Sequence, residues 1–402
     1  MSRDGAALRA RVALLTPLPP APAGSADAIG ALCAALGARV ELHLFTPTRA
    51  PAPVGGAASL RPLSVLPFRA GSFDRVVSVL GNAPCHDAIV RLFLDHGGSH
   101  GGAAILRDAH LLGSALRRGG SGGVRRLAAA ELARPVPAAE VAAWVADESL
   151  LPTLLLSAIT AAAAPLFVHS TASAREIRLR YGVVPRLLPV PPARLWSDAA
   201  LAPAACAAAR GRLGIGPGEF ALVSCGGPAA SEGGTALLWA LDCLRARGMA
   251  ARLCFAGAAA GPEAEEARAL RAELGLGGWV EVPAAPWSEA AWQDRLLAAD
   301  AAVALRGFGF GQAADALADA LAAGLPTIAN QGLAAAMEAP GFVRTIPDRL
   351  SPVLLAEALA GLRTAGPAAR ASAARTAWQE GRRPQAGAAA LLAGLGLAEA
   401  GA

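Results

Sequence analysis

Short apolar runs alternate along this chain with segments whose apolar residues recur at three- and four-residue spacing. Runs rich in Val, Leu and Phe and bounded by Gly or Pro predict strands; the second pattern predicts amphipathic helices. Regular alternation of the two predicts parallel sheets with helices on both faces. In the first half the strand segments are RVALLTP, RVELHLF, SLRPLSVL, DRVVSVLG, GAAILRD, PLFVHS and RLLPVPP. Helices are predicted over 25–36, 86–96 and 172–181, with further helical stretches between 111 and 163. The second half starts again with FALVSCGG and continues through ARLCFAG, WVEVPAA, DAAVALR and LPTIAN. Helices over 235–247, 262–274 and 289–299 separate those strands.

A Pro- and Ala-rich stretch over 190–203 breaks both patterns and reads as a linker. The expectation is an α/β chain of two doubly wound, Rossmann-like domains, over 1–190 and 191–375. A helical segment over 376–402 is expected to cross back to the first domain. Two such domains facing each other would enclose a cleft at the carboxyl ends of their strands, where open α/β sheets bind ligands. The arginines and apolar run near the N-terminus imitate a secretion signal, but Val12–Leu15 is too short and prolines end it, so it reads as a first strand. The uncharged stretch over 150–168 is long enough for a bilayer. Pro152 and Pro165 interrupt it, and a buried helix followed by a buried strand is expected instead.

Composition narrows the class. The chain has 402 residues, enough for two domains, and is 54% hydrophobic with a strong Ala bias. All 36 basic residues are arginine and the net charge is +5. The arginines are scattered, so no nucleic-acid-binding stripe is expected, while attraction to an anionic membrane face or a phosphorylated substrate is allowed. The 6 cysteines form no CxxC pair and lie in apolar stretches, which predicts reduced thiols in a cytoplasmic protein. Histidines and acids do not cluster at metal-ligand spacing, and no metal is expected.

The segment most suggestive of chemistry is ALRGFGFGQAADALADALAAGLPTIAN, from Ala304 to Asn330. A strand ends near Arg306, a glycine loop follows, and a helix begins near Gln312. The spacing fails the GxGxxG fingerprint, since Gln312 occupies the last glycine position, and there is no GK[ST] loop. Free backbone N–H groups at Gly311, Gln312 and Ala313 would bind an anion, with Arg306 as a fixed cationic fork, and Asp319 would reach a ribose hydroxyl. A plain glycine turn with surface charges fits these residues equally well.

Read as a whole, the chain resembles the retaining GT-B glycosyltransferases of family four, the glycosyl transferases group one. Arg306, Gly311, Asp319, Gly324 and Pro326 match the family's strand end, glycine loop and acid preceding ALAAGLPT. LTPLPPAPAGSADAIGAL, with Gly24 and Ser25, is similar to its PLPPxxSGIADY opening. LGNAPCH (Gly81, Asn82, His86) resembles a loop that begins Gly-Asn and ends in His. AILRDAHL, with Asp108, corresponds to a His-Asp stretch, and PLFVHS, with His169 and Ser170, to a VHS segment. The matches keep one order from about Arg11 to Leu362.

The departures carry information too. Family members place a lysine six residues after the glycine of the first donor-domain strand, where it contacts the donor diphosphate. Counting from Gly226 puts Glu232 there, and a carboxylate repels a diphosphate. The first glutamate of the paired-acid motif is absent, and Arg107 stands for the histidine of the His-Asp stretch. The resemblance implies transfer of a sugar, with retention, from a nucleotide-sugar to the hydroxyl of a glycan or lipid-linked acceptor. No metal or other cofactor is required. The implied setting is bacterial surface glycan synthesis in the cytoplasm, with peripheral contact at the inner membrane. Arg306, alone or with Arg252 or Arg107, would neutralise the diphosphate. His86 and Asp108 would orient sugar or acceptor, and Gly24, Ser25, Asn82 and His169 would line the acceptor side. Plainer roles stay open: His86 and Asp108 as helix N-caps, and His169 as a structural histidine. The departures leave one alternative, a degenerate member serving as a binding or scaffold subunit.

Overall fold

The computed structural model describes residues 9–19, 26–96, 102–229, 232–257, 262–285, 287–306, 314–364, 370 and 372–397. These residues divide into two compact units, the first spanning 1–191 with 383–402, the second 192–309 with 314–382. The division falls within the Pro-rich stretch and recurs just before Arg383. Helix Ala373–Glu380 therefore belongs to the second unit and helix Pro384–Gly394 to the first.

The first unit carries β1 (Arg11–Leu15), β2 (Glu41–Thr46), β3 (Ala57–Pro62), β4 (Arg75–Leu80), β5 (Ala103–Leu106), β6 (Leu166–Val168) and β7 (Arg186–Leu187). They form one sheet in the order β3-β2-β1-β4-β5-β6-β7. The second unit carries β8 (Phe220–Ser224), β9 (Ala251–Phe255), β10 (Val280–Glu281), β11 (Ala301–Ala304), β12 (Thr327–Asn330) and β13 (Val343–Ile346), in the order β10-β9-β8-β11-β12-β13. Every ladder is parallel. Both orders are that of doubly wound dinucleotide folds, with the chain reversing direction between β1 and β4 and again between β8 and β11.

Central strands are buried throughout, as in β5, β8, β11 and β12, because helices cover both faces. In the first unit one face packs Leu14, Leu42 and Val79 on Leu391 and Leu392 of the C-terminal helix. The other packs Phe45, Leu80 and Ile89 on Leu154 and Ile159. The second unit builds its larger core from Phe220, Leu222, Leu253 and Phe255 against Leu237, Leu241 and Leu359. Helix starts follow side-chain capping: Ser170, Ser288 and Ser372 each accept an N–H three residues on. Helix Thr171–Tyr181 ends on Gly182 at φ +70°, the left-handed cap that favours glycine.

Several expectations change. SLRPLSVL is strand only to Pro62 and then a 3₁₀ turn over Leu63–Phe68, where Pro67 removes a ladder donor. RLLPVPP is strand only over Arg186–Leu187, ended by its prolines. The stretch over 150–168 keeps the expected order of helix and strand, Ser157–Ala162 and then β6, with Leu151, Leu154 and Leu156 buried. Among the described residues no helix is long and apolar enough to cross a membrane.

Gly324 closes helix Asp315–Ala322 at φ +63°, and a Cβ there would lie 2.3 Å from the carbonyl oxygen of Arg370. Gly324→Ala should therefore lower unfolding stability by about 3 kcal/mol, combining backbone strain with the clash. A denaturant titration that leaves the midpoint unchanged would refute this.

Candidate functional site

In the second unit the chain leaves β8 through Cys225, Gly226 and Gly227 and re-enters a helix at Gly234–Ala246. Glycine is required here by proximity. A Cβ on Gly234 would meet the Pro228 oxygen at 2.0 Å, and one on Gly257, after β9, would meet Gly227 Cα at 2.9 Å. Gly233 adopts φ +73° against Leu305. The Glu232 carboxylate folds back over this turn. Its Oε2 accepts the Gly227 N–H, and its Oε1 lies 4.0 Å from Nη2 of Arg306.

Arg306 leaves the end of β11, beside β8. Its own N–H donates to Asn330 Oδ1 at 2.9 Å, and its carbonyl accepts from Asn330 Nδ2 at 3.0 Å. Asn330 is buried at the end of β12, and its second amide hydrogen goes to Asp348 Oδ1 at 2.7 Å. That oxygen also accepts the Gly332 N–H. The backbone at Arg306 is thus fixed from two sides, while its guanidinium keeps partial exposure and its Nε is buried with no acceptor among the described residues. A cation with an unsatisfied donor, at the carboxyl ends of strands where the sheet order reverses, suits an anionic ligand group.

Asp319, expected on a ribose, is 8% exposed and already engaged. Oδ1 accepts the Ala193 N–H at 2.7 Å, and Oδ2 accepts Trp292 Nε1–H at 3.2 Å. Burial raises its pKa to about 6, against the lowering effect of these bonds. A ribose hydroxyl would have to compete with those donors. The same region of the unit holds the segment after Pro192: Gln379 accepts the Trp196 N–H, and Arg375 donates to the Trp196 carbonyl and pairs with Asp198.

Arg252 does not join Arg306. It is the second residue of β9, in register with Ala221 near the start of β8, whereas Arg306 follows the end of β11. It pairs with Glu219 at 3.3 Å. Its expected part in holding a diphosphate is corrected on that ground. Arg107 belongs to the first unit.

In the first unit His86 and Asp108 do come together, at the ends of β4 and β5. His86 is buried, and its Nδ1 lies 3.0 Å from the Val79 carbonyl. That contact makes Nδ1 the protonated nitrogen and leaves Nε2 as an acceptor. Burial first, and then Arg107, hold its pKa below the ordinary value, so the ring is neutral at pH 7. Asp108 Oδ2 accepts the Asn82 N–H. A Cβ on Gly81 would lie 2.8 Å from His86 Cδ2 and 3.1 Å from Asp108 Oδ2, so only glycine lets the loop pass between them. Asn82 Oδ1 accepts the Ser114 N–H at 2.9 Å, and Arg117 ties Asp87 to the Asn82 carbonyl.

Neither residue caps a helix. The helix after Asp108 starts beyond Leu111 with no side-chain cap, and the His86 ring points back to β4. His169 follows β6, and its Nδ1 meets the Leu188 carbonyl at 2.6 Å, joining the ends of β6 and β7. Gly24, Ser25, Gly311, Gln312 and Ala313 lie outside the described residues. Gly226 stands in the turn under Glu232. Asn330, Asp348 and Trp292 were not singled out in the sequence. The signal for Asn330 is a polar residue ending the apolar run TIAN; Asp348 carries none. Among the described residues no group of His, Cys, Asp and Glu is arranged to hold a metal ion, and the cysteines form no disulfide.

No family model matches this sequence, and no curated protein matches it. Solved structures do. Anabaena Alr3699/HepE in complex with UDP and glucose superposes with a TM-score of 0.64 at 13% identity, covering 96% of this chain and 99% of that one. WaaG, a glycosyltransferase involved in lipopolysaccharide biosynthesis, gives 0.59 at 17% identity, covering 93% and 95%. Sucrose-phosphate synthase from Thermosynechococcus elongatus gives 0.57 at 16% identity, covering 96% and 94%. Likeness at such identity defines the fold: two Rossmann-like units of the GT-B class.

The raised pKa of Asp319 makes a test of its burial. An acid whose folded pKa lies above its unfolded value of 3.8 favours folding when protonated, and that contribution is lost as pH rises from about 4 through about 6. Asp319→Asn should remove this part of the pH dependence, so that wild type loses more stability than the variant between those values. Parallel stability–pH curves for the two proteins would refute it.

Proposed function

We propose that this chain is a glycosyltransferase that takes a sugar from a nucleoside-diphosphate sugar and transfers it, with retention of configuration, to a hydroxyl of a bacterial surface glycan or its lipid-linked precursor. One observation carries the reading: Arg306, with its backbone held by Asn330 and its Nε unsatisfied, at the switch point of the second sheet. The full-length likeness to structures that hold UDP and glucose supports it.

In this reading Arg306 neutralises the charge that develops on the departing diphosphate, where a fixed cation assists most. No metal ion is required, so turnover should persist in a chelator. Neutral His86 offers Nε2 to a hydroxyl of the sugar or acceptor, and Asp108 orders the Asn82 loop beside it. Asp319 keeps the segment at Ala193 in place rather than binding ribose. The reaction is assigned to the cytoplasm, where nucleotide-sugars are supplied, at the membrane face that presents the acceptor.

UDP should bind the purified protein saturably at millimolar concentration or below. Arg306→Gln should weaken it at least about tenfold and lower kcat/KM by about a hundredfold or more. Calorimetry with a panel of nucleoside diphosphates and nucleotide-sugars checks this, and absence of binding across the panel ends the proposal.

One observation favours a second reading, a non-catalytic binding subunit on the same fold. Glu232 already occupies the Gly227 amide and faces Arg306, so the turn carries its own carboxylate where an anion would sit. Glu232→Lys separates the two readings. Little change in an already tight UDP affinity supports the transferase; a gain of about a hundredfold from negligible binding supports the subunit.

A further inference from the structure

β9 alternates buried and half-buried residues, with Leu253 and Phe255 in the main core and Arg252 and Cys254 on the opposite face. On that face helix Glu289–Ala298 contacts β8, and its Arg295 lines a gap beside β8, β9 and β10. That gap is a cavity of about 390 Å³, within the size range of small-molecule sites. It runs along β8, β9 and β10 and is lined by Ala221, Val223, Arg252 and Cys254, with neither Arg306 nor Glu232 in its lining. It is therefore separate from Arg306 and Glu232, and none of the proposed transfer chemistry uses it.

Its polar lining is dominated by cations. Arg252, Arg271 and Arg295 line it, against Glu281 as the one acid among the described residues. Arg295 takes both oxygens of Glu281, at 2.7 and 3.3 Å. Arg252 reaches Glu219 at 3.3 Å, and Arg271 bonds to the Gly277 carbonyl, so Arg271 keeps a charge that no carboxylate in this lining offsets. The Nε–H groups of both Arg252 and Arg271 are buried and have no acceptor among the described residues. Both side chains line the cavity, so an oxyanion inside it would meet two guanidinium groups whose hydrogen-bonding capacity is not filled. Leu213, Ile215 and the Trp279 ring supply an apolar wall. Arg245 stacks over that ring with its guanidinium carbon 3.6 Å from the centroid, fixing it in place.

We propose that this cavity is a second ligand site, binding a small phosphate monoester whose oxygens accept from Arg252 and Arg271 and whose organic part lies against Leu213, Ile215 and Trp279. A cavity of this size admits a sugar phosphate and excludes a macromolecule. The assignment stands whether or not the chain transfers sugar.

The test uses the full chain with ribose 5-phosphate, inorganic phosphate and ribose as probes in calorimetry, each with and without saturating UDP. Ribose 5-phosphate should bind with a Kd of about 1 mM or tighter, inorganic phosphate more weakly, and ribose not at all. Arg271→Gln should weaken ribose 5-phosphate at least about tenfold, while Arg306→Gln and UDP leave it unchanged. Because Arg271 also holds the Gly277 turn, side-chain ¹⁵N–¹H spectra of arginine-labelled wild type provide a second readout. The Arg252 and Arg271 Nε–H signals should shift on titration. Absence of saturable binding, binding that UDP or Arg306→Gln abolishes, or binding that leaves those two signals in place would each overturn the proposal.

Discussion

The paired bonds between the Asn330 side chain and the Arg306 peptide are the constraint on which the second unit's site rests. A parallel sheet ends in unpaired backbone groups at the carboxyl edge, and each buried one must find a partner. At the end of β11 one amide side chain, on the neighbouring strand, satisfies both a donor and an acceptor of the same residue. Asp348 in turn fixes which way that amide points. The arginine is left with a rigid root and a partly exposed head, the condition under which a cation can meet a developing charge without first being ordered.

Glu232 gives this site an electrostatic balance of its own. A lysine at this position would have added charge to the turn; the carboxylate instead binds the turn's amide and stands within ion-pair reach of Arg306. The pair is partly exposed, so solvent screens it and little stability rests on it. Its effect lies in the local field, where any incoming anion would have to exchange places with the carboxylate or settle beside it. In the first unit the corresponding edge is preorganised: a buried neutral imidazole with its tautomer set by Val79, and a carboxylate that orders a loop through a backbone N–H.

Much of this was legible in the sequence. The period of apolar runs predicts nearly every central strand, because strands covered on both faces must be apolar at every position. The edges were harder to read. β13, reading VRTI, is half-exposed with Arg344 and Thr345 turned outward, so no apolar run marks it. The motifs drew attention to His86, Asp108 and Arg306, which lie in the segments that leave β4, β5 and β11. Local spacing could not show that Asp319 points inward to Ala193 and Trp292, which lie 126 and 27 residues away in the chain. Nor could it show that Arg252 lies at the opposite end of its strand from the edge that holds Arg306, since strand register is a property of the assembled sheet.

The return of helix Pro384–Gly394 to the first unit has a consequence for how such a molecule can be divided. Leu391, Leu392 and Leu395 complete the same apolar cluster as β1, β2 and β4, so residues 1–191 by themselves lack one wall of their interior. Neither half of the chain is an autonomous segment, and a recombination event that exchanged one half would need two crossovers instead of one. A fold threaded in this way resists the simple swapping of modules by which many two-domain proteins acquire new pairings.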